Sequence, residues 1–213
     1  DIKKATGKSG WQITKFWVPK VHTEKNPLQA FSLRFKKIYS AKEEIMEIKT
    51  NTPYHAYNKS SEDLSFLDSN SIDYIFTDPP YGESVAYFGL SMFWNSWIFK
   101  DIDYKNEIIY DPYRKKDYKD YETRLKQVFK ECYRLLKDKR YLSFTFNNRK
   151  LVFWKIIIDC CLSAGFFLKK VEWQEQAVSS GTQGINRKNT LKGDFVYTFQ
   201  KIEGENPKME DLN

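Results

Sequence analysis

The chain has 213 residues and a mass of 25.4 kDa, enough for one domain with a full core, and its 41% hydrophobic and 30% charged residues exclude a disordered protein. No apolar run approaches the roughly 20 residues of a bilayer-spanning helix. The net charge of +7 favours a polyanionic partner, and 17% aromatic residues suit stacking on bases as well as an aromatic-rich core.

Residues 1–51 are predicted to form a basic, partly helical extension. The segment "WQITKFWV", residues 11–18, has the composition of a short strand. Asn26 is suited to cap a helix that has Pro27 in its first turn. Apolar residues then recur at helical spacings up to Ile48, which predicts a helix over residues 26–48.

From Thr52 the pattern changes to alternating strands and helices, which continue to residue 203 and leave residues 204–213 as a tail. Strands are predicted over residues 54–60, 71–77, 140–146, 166–178 and 193–202. Helices are predicted over residues 84–99, 120–138 and 151–166. This order predicts an α/β fold with a parallel sheet and helices on both faces. Because no helix separates the last two strands, we expect them to be antiparallel, with a reversed strand near the edge of the sheet.

The strand over residues 71–77 ends in Asp78, Pro79, Pro80 and Tyr81, at the end where α/β sheets bind ligands. Proline fixes φ and donates no hydrogen bond, so the carbonyls of this stiff turn are available as acceptors. A carboxylate and a carbonyl together can accept both hydrogens of an exocyclic amino group, while a tyrosine ring stacks on its heterocycle. The alternative is a turn of structural importance alone, but the complete string followed by Gly82 favours a functional site.

The segment "SIDYIFTDPPYG" resembles the amino-group signature of the S-adenosylmethionine-dependent DNA methyltransferases that modify adenine N6 or cytosine N4. The similarity in element order covers residues 52–202, the C-terminal part of the Rossmann-like class I methyltransferase fold. The resemblance implies S-adenosylmethionine as cofactor and DNA with a flipped-out base as substrate. It also implies that Asp78 and the Pro79 carbonyl accept hydrogen bonds from the amine and that Tyr81 stacks on the base. Adenine is the favoured base.

The glycine-rich cofactor loop of that family is not recognisable in this sequence. Gly7 and Gly10 do not follow an apolar strand, so the cofactor-binding residues are unknown apart from Thr77 and Asp78, which are implicated by their proximity to the motif. We therefore expect the chain to be part of a longer methyltransferase whose N-terminal portion is missing, and to have little activity alone. An RNA amino-methyltransferase and a non-catalytic nucleic-acid-binding module remain alternatives.

Polar and aromatic residues at the end of the strand over residues 140–146 are further candidates for substrate contact. Phe146 is placed either to pack on the flipped base or to lie in the core, since strand alternation permits both. Asn147 and Asn148 follow at the carboxyl end of the strand, where they either meet substrate or cap the next helix.

Two basic loops are candidate DNA-phosphate contacts, the alternative being solvated loops. Arg114 and Lys115 belong to the first loop, and Arg187 belongs to the second, over residues 179–192. The three cysteines fit no zinc spacing and the two histidines are isolated, so no metal site is predicted and a reducing, cytoplasmic location is favoured. A role in restriction–modification is compatible with these features but not specified by them.

Overall fold

A computed structural model of the chain describes residues 26–48, 52–175, 193–205 and 207. The chain divides into two compact units, and the first contains helix α1 (Pro27–Glu47). Asn26 caps α1 as predicted, because its side-chain oxygen accepts hydrogen bonds from the backbone N–H groups of Leu28 and Gln29. The predicted strand over residues 11–18 lies outside the described residues, and residues 54–60 form no strand.

The second unit is built on a four-stranded sheet in the order β1-β2-β4-β3. The strands are β1 (Ile72–Thr77), β2 (Leu136–Phe146), β3 (Phe166–Glu175) and β4 (Gly193–Lys201). Strand β1 is parallel to β2, whereas β4 is antiparallel to both β2 and β3. The predicted α/β fold with a reversed terminal strand is therefore confirmed.

The helices of this unit are α2 (Tyr87–Trp97), α3 (Tyr118–Leu135) and α4 (Leu151–Ser163). Helices α3 and α4 share one hydrophobic core with a single face of the sheet, where Phe144 of β2 and Phe199 of β4 are fully buried. Short 3₁₀ turns at Tyr104–Asn106 and Pro112–Arg114 shape the connection between α2 and α3. No helix of the described residues is long and apolar enough to cross a membrane.

The opposite face of the sheet differs from the expectation of helices on both sides. Tyr74 and Phe76 of β1 are 54% and 61% exposed, and Tyr141, which pairs with Tyr74 in the β1–β2 register, is 40% exposed. Within the described part of the chain, α3 and α4 both cover the other face, because the apolar stripe that contacts them runs along one set of alternate β2 residues. Because β1 and β2 are parallel, their carboxyl ends are adjacent at the same edge of the sheet.

Candidate active site

Asp78 lies immediately after β1 and is exposed to solvent. Thr77 pairs with Phe144 in the β1–β2 register, so Thr145 lies beside Asp78 on the neighbouring strand. The Thr145 hydroxyl donates a hydrogen bond of 2.8 Å to Asp78 Oδ1. Asp78 thus has one carboxylate oxygen held by β2, and the Tyr81 hydroxyl lies close to the same carboxylate.

Tyr81 is half-buried and is held at both ends. Its hydroxyl donates to Thr145 Oγ1 at 3.2 Å, and its ring lies edge-on to Phe146 with the ring centroids 5.1 Å apart. Burial raises the pKa of the Tyr81 hydroxyl well above its usual value, and the nearby Asp78 charge acts in the same direction. Tyr81 therefore remains protonated and serves as a hydrogen-bond donor.

The two proline carbonyls have different environments. The hydroxyl of Tyr121, a fully buried residue of α3, donates to the Pro80 carbonyl and accepts from the Gly82 N–H at 3.3 Å. In contrast, the Pro79 carbonyl accepts no hydrogen bond from the described residues. The turn is therefore anchored through Pro80, whereas the carbonyl of the buried Pro79 has no hydrogen-bond donor among the described residues.

Gly82 is required by the geometry of the turn that follows Tyr81. Its φ of +62° lies in the left-handed region, and a Cβ at this position would lie 2.6 Å from the ring of the fully buried Phe153. A side chain here would push the motif away from α4. The close approach of Gly82 to Phe153 thus fixes the distance between the motif and the core.

Asn148 joins the motif to α4. Its side-chain amide donates to the Tyr81 carbonyl at 2.9 Å, and its side-chain oxygen accepts from the Lys150 N–H at 2.8 Å. Trp154 Nε1 donates to the Asn148 carbonyl at 2.7 Å. Asn148 therefore supports the motif backbone and the turn before α4, whereas the residue at the N-cap position is Lys150, which has no side-chain capping bond; substrate contact by Asn148 stays a prediction.

The other candidates on β2 lie close to the motif. Phe146 is fully buried, so it occupies the core position among its two alternatives and supports the Tyr81 ring from the side. Asn147 donates its side-chain amide to the Gly193 carbonyl of β4 at 2.6 Å. Contact of either residue with a substrate remains a prediction.

The basic loop at residues 113–116 is held by internal ion pairs. Arg114 lies 2.5 Å from the buried carboxylate of Glu107 and 3.0 Å from that of Asp111. Lys116 is buried and donates to the Lys105 and Glu107 carbonyls. Of the two candidates named in this loop, only Lys115 is exposed and outside these pairs. Arg187 lies outside the described residues, and phosphate binding by any of these residues stays a prediction.

Thr145 and Tyr121 were missed as candidates by sequence reasoning. Thr145 alternates with the buried Phe144 and Phe146, so a polar residue on the opposite face at the carboxyl end of the strand was the available signal. Tyr121 occupies a fully buried position on the apolar face of α3, where its hydroxyl requires a partner. Both signals identify a polar group in need of a partner, but neither identifies which partner it has.

The exposed Asp78 carboxylate and the Pro79 carbonyl are the acceptors at the end of β1, and Thr77 precedes them in the chain. The glycines with close neighbours face protein atoms instead of open space: Gly82 meets Phe153, Gly165 meets Tyr133 and Gly193 meets Gln174. These three glycines therefore leave no space for the methionine or ribose of S-adenosylmethionine, and the described residues contain no cluster suited to a metal ion.

A family model described as DNA methylase, N6_N4_Mtase, matches residues 72–208. This range includes the motif turn, the whole sheet and the helices α2 to α4. A comparison with curated proteins finds no match.

Solved structures with some likeness include the Thermus thermophilus protein TTHA0409, assigned as a DNA modification methylase, at 14% identity and a TM-score of 0.41 over 70% of this chain and 53% of that one. A structure of TTHA0409 complexed with S-adenosyl-L-methionine gives 15% identity and a TM-score of 0.40, over 70% of this chain and 54% of that one. A SAM-dependent methyltransferase from Methanosarcina mazei gives 11% identity and a TM-score of 0.41, over 73% and 70% of the two chains. This chain thus spans about half the length of TTHA0409.

Proposed function

Because the chain belongs to the N6_N4_Mtase family of DNA methylases, we propose that it binds the exocyclic amino group of a DNA base for methylation, with adenine N6 as the favoured target. The observation that supports this most directly is the exposed carboxylate of Asp78 at the end of β1. The Tyr81 hydroxyl lies close to this carboxylate, and the carbonyl of the next residue, the buried Pro79, accepts no hydrogen bond from the described residues. By contrast, the Pro80 and Tyr81 carbonyls already accept hydrogen bonds.

A carboxylate and a carbonyl on successive residues, Asp78 and Pro79, match the chemistry of an amino group on an aromatic ring, which has two hydrogens to donate. The nitrogen lone pair of such an amine is delocalised into the ring, which makes the amine a poor nucleophile. Hydrogen bonds from both N–H groups, to Asp78 and to the Pro79 carbonyl, favour a pyramidal nitrogen and orient its lone pair. The amine gains a methyl group and loses one proton, which Asp78 is placed to accept.

S-adenosylmethionine, the cofactor of this family, supplies the methyl group as a sulfonium. In this proposal the residues of the motif turn bind the amine side of the reaction, and the residues that hold the cofactor are not assigned. A base inside a duplex cannot reach Asp78, so the target base leaves the stack and meets the ring of Tyr81. Lys115 and Arg187 remain the proposed contacts to DNA phosphates.

A second function, nucleic-acid binding without catalysis, is favoured by one observation only: the glycine-rich cofactor loop of the family is not recognisable in the sequence. The two functions differ in their requirement for Asp78. Catalysis needs its carboxylate, whereas binding of DNA phosphates by basic side chains does not.

The test is methyl transfer from isotope-labelled S-adenosylmethionine to unmethylated DNA, and in parallel to RNA, by the protein as its complete gene encodes it. Mass spectrometry of the released nucleosides distinguishes N6-methyladenine from N4-methylcytosine. We expect Asp78→Ala to lower the rate by about 100-fold or more, the size of effect seen when a key transition-state contact is removed.

The matched control is Asp73→Ala, which removes an exposed carboxylate of the same strand that pairs with Lys137 and Arg140. This variant should retain the wild-type rate. Equal activity of the Asp78 and Asp73 variants would refute the assignment. Binding of DNA without methyl transfer by the wild-type protein would favour the non-catalytic function.

A further inference from the structure

We propose that Thr145 is a positioning residue that selects which oxygen of Asp78 receives the substrate amine. This inference rests on the proposed function. It is based on a chain of three hydroxyl and carboxylate groups, in which Tyr81 donates to Thr145 and Thr145 donates to Asp78 Oδ1.

The direction of these hydrogen bonds follows from the groups themselves. An ionised carboxylate only accepts, so the single proton of the Thr145 hydroxyl points to Asp78. The Thr145 oxygen is then available to accept from Tyr81, whose hydroxyl is protonated. Reversing either bond would leave two acceptors facing each other. The chain therefore runs in one direction, from Tyr81 to Asp78.

The consequence for Asp78 is that its two oxygens become inequivalent. Oδ1 accepts from Thr145, which leaves Oδ2 as the oxygen that we propose receives the amine. Without the threonine hydroxyl, the exposed carboxylate turns about its last torsion, which has a broad, two-fold energy profile. The fraction of time that Oδ2 spends in the productive orientation then falls.

The β-branched side chain of Thr145 explains why a threonine suits this position. Thr145 lies in the middle of the sheet, paired with Val196 of β4. Two heavy atoms on its Cβ restrict χ1, so the hydroxyl is held toward Asp78 instead of sampling three rotamers. Serine would retain the hydroxyl with less restriction, and valine would retain the shape without the hydroxyl.

The same hydroxyl also holds the stacking ring. Tyr81 is attached to the backbone at one end and to Thr145 at the other, with Phe146 against its edge. Thr145 thus sets the position of the amine acceptor relative to the ring that meets the base. Tyr81→Phe tests the ring anchor, because it leaves the bond between Thr145 and Asp78 and removes the Tyr81 hydroxyl, which also lies close to Asp78.

The experiment measures single-turnover methyl transfer and DNA affinity for the protein as its complete gene encodes it. We expect Thr145→Val to slow transfer by about 10- to 100-fold, since small misplacements of a reacting group cost rate on this scale. DNA affinity should remain within about twofold, and Thr145→Ser should restore the rate to within about threefold of wild type. Tyr81→Phe should slow transfer less than Thr145→Val does.

Ser143→Ala is the matched control, because Ser143 lies on the same face of β2 and its hydroxyl bonds Thr198 instead of Asp78. A wild-type rate in this variant would show that loss of a hydroxyl from this face is not in itself damaging. If the wild-type protein is active and Thr145→Val is equally active, the inference is overturned and the proposed function stays intact.

An inactive wild-type protein on all nucleic acids would instead overturn the proposed function. In that case a crystal structure of Thr145→Val decides the positioning claim. The claim predicts that the Asp78 carboxylate departs from its wild-type orientation, and an unchanged orientation would overturn it.

Discussion

Substitution of Gly82 provides a quantitative test of the motif geometry. Gly82→Ala places a side chain at φ +62°, which costs about 1–2 kcal/mol for an L-residue in the left-handed region. The added Cβ also meets three atoms of the Phe153 ring at 2.6–2.7 Å. Phe153 is fully buried, so this overpacking adds about 1–3 kcal/mol. We therefore expect the free energy of unfolding to fall by about 2–5 kcal/mol.

Two other glycines separate these contributions. Gly204 has a φ of +82° with no atom within 4 Å of its added Cβ, so Gly204→Ala should cost only the backbone strain, about 1–2 kcal/mol. Gly89 lies inside α2 with only ordinary contacts and no positive φ, so Gly89→Ala should stabilise the protein by about 0.5–1 kcal/mol. The expected order of stability is Gly89→Ala, wild type, Gly204→Ala and then Gly82→Ala.

The assay is urea unfolding monitored by far-ultraviolet circular dichroism. The unfolding free energies are compared between variants that show the same dependence of free energy on urea concentration. Phe153→Leu, combined with Gly82→Ala, should cost less than the sum of the two single changes, because the smaller side chain relieves the contact. The explanation fails if Gly82→Ala costs no more than Gly204→Ala, or if the two changes at positions 82 and 153 are strictly additive.

Two further predictions concern groups away from the motif. Burial raises the pKa of Cys132 and Cys160 to about 12, and that of Cys161 also rises, so a thiol reagent at about pH 8 should label none of them in the native protein and all three in urea. Rapid native labelling would contradict their burial. Arg134 hydrogen-bonds Glu131 and lowers its pKa below the usual 4.5, so this pair contributes stability above that pH and loses it as the pH falls through the lowered value. Glu131→Gln should reduce the loss of unfolding free energy between about pH 6 and about pH 3, and an identical loss in both proteins would contradict the assignment.

The parts of the fold that sequence reasoning predicted are those specified by local chemistry. The cap at Asn26 and the strand that ends at Asp78 depend on neighbouring residues, and both are present. The helix predicted over residues 151–166 is present as α4 and ends at Ser163, shortly before Gly165, whose φ is +103°. Such features need no knowledge of distant segments.

The parts that escaped prediction depend on register and on contacts between distant segments. The partner of Asp78 is set by the β1–β2 register, which shifts at an irregularity between Ile72 and Tyr74. A shift of one residue would place a core phenylalanine beside Asp78 instead of Thr145. Tyr121 reaches Pro80 across 41 residues of sequence, a separation that periodicity does not encode.

In the basic loop, the sequence shows the charges but does not show that they are paired in the folded chain. Arg114 belongs to a sequence run that is typical of a phosphate contact, but Glu107 and Asp111 lie within reach in the folded chain. A count of charges along the sequence does not reveal which charges are already neutralised. The same run contains Lys116, whose ammonium group donates hydrogen bonds to the backbone carbonyls of Lys105 and Glu107.

Strand β1 affects how the protein behaves in solution as well as where Asp78 lies. It forms one edge of the described sheet, so its outer backbone N–H and C=O groups have no strand beside them there. Tyr74 and Phe76 add an apolar surface to this edge, and Asp73 is the single charged residue of the strand. A sheet edge is a template for pairing with another strand. A further strand of the complete protein or a second copy of the chain would pair at this edge, so rates and unfolding curves should be compared at low, matched protein concentrations.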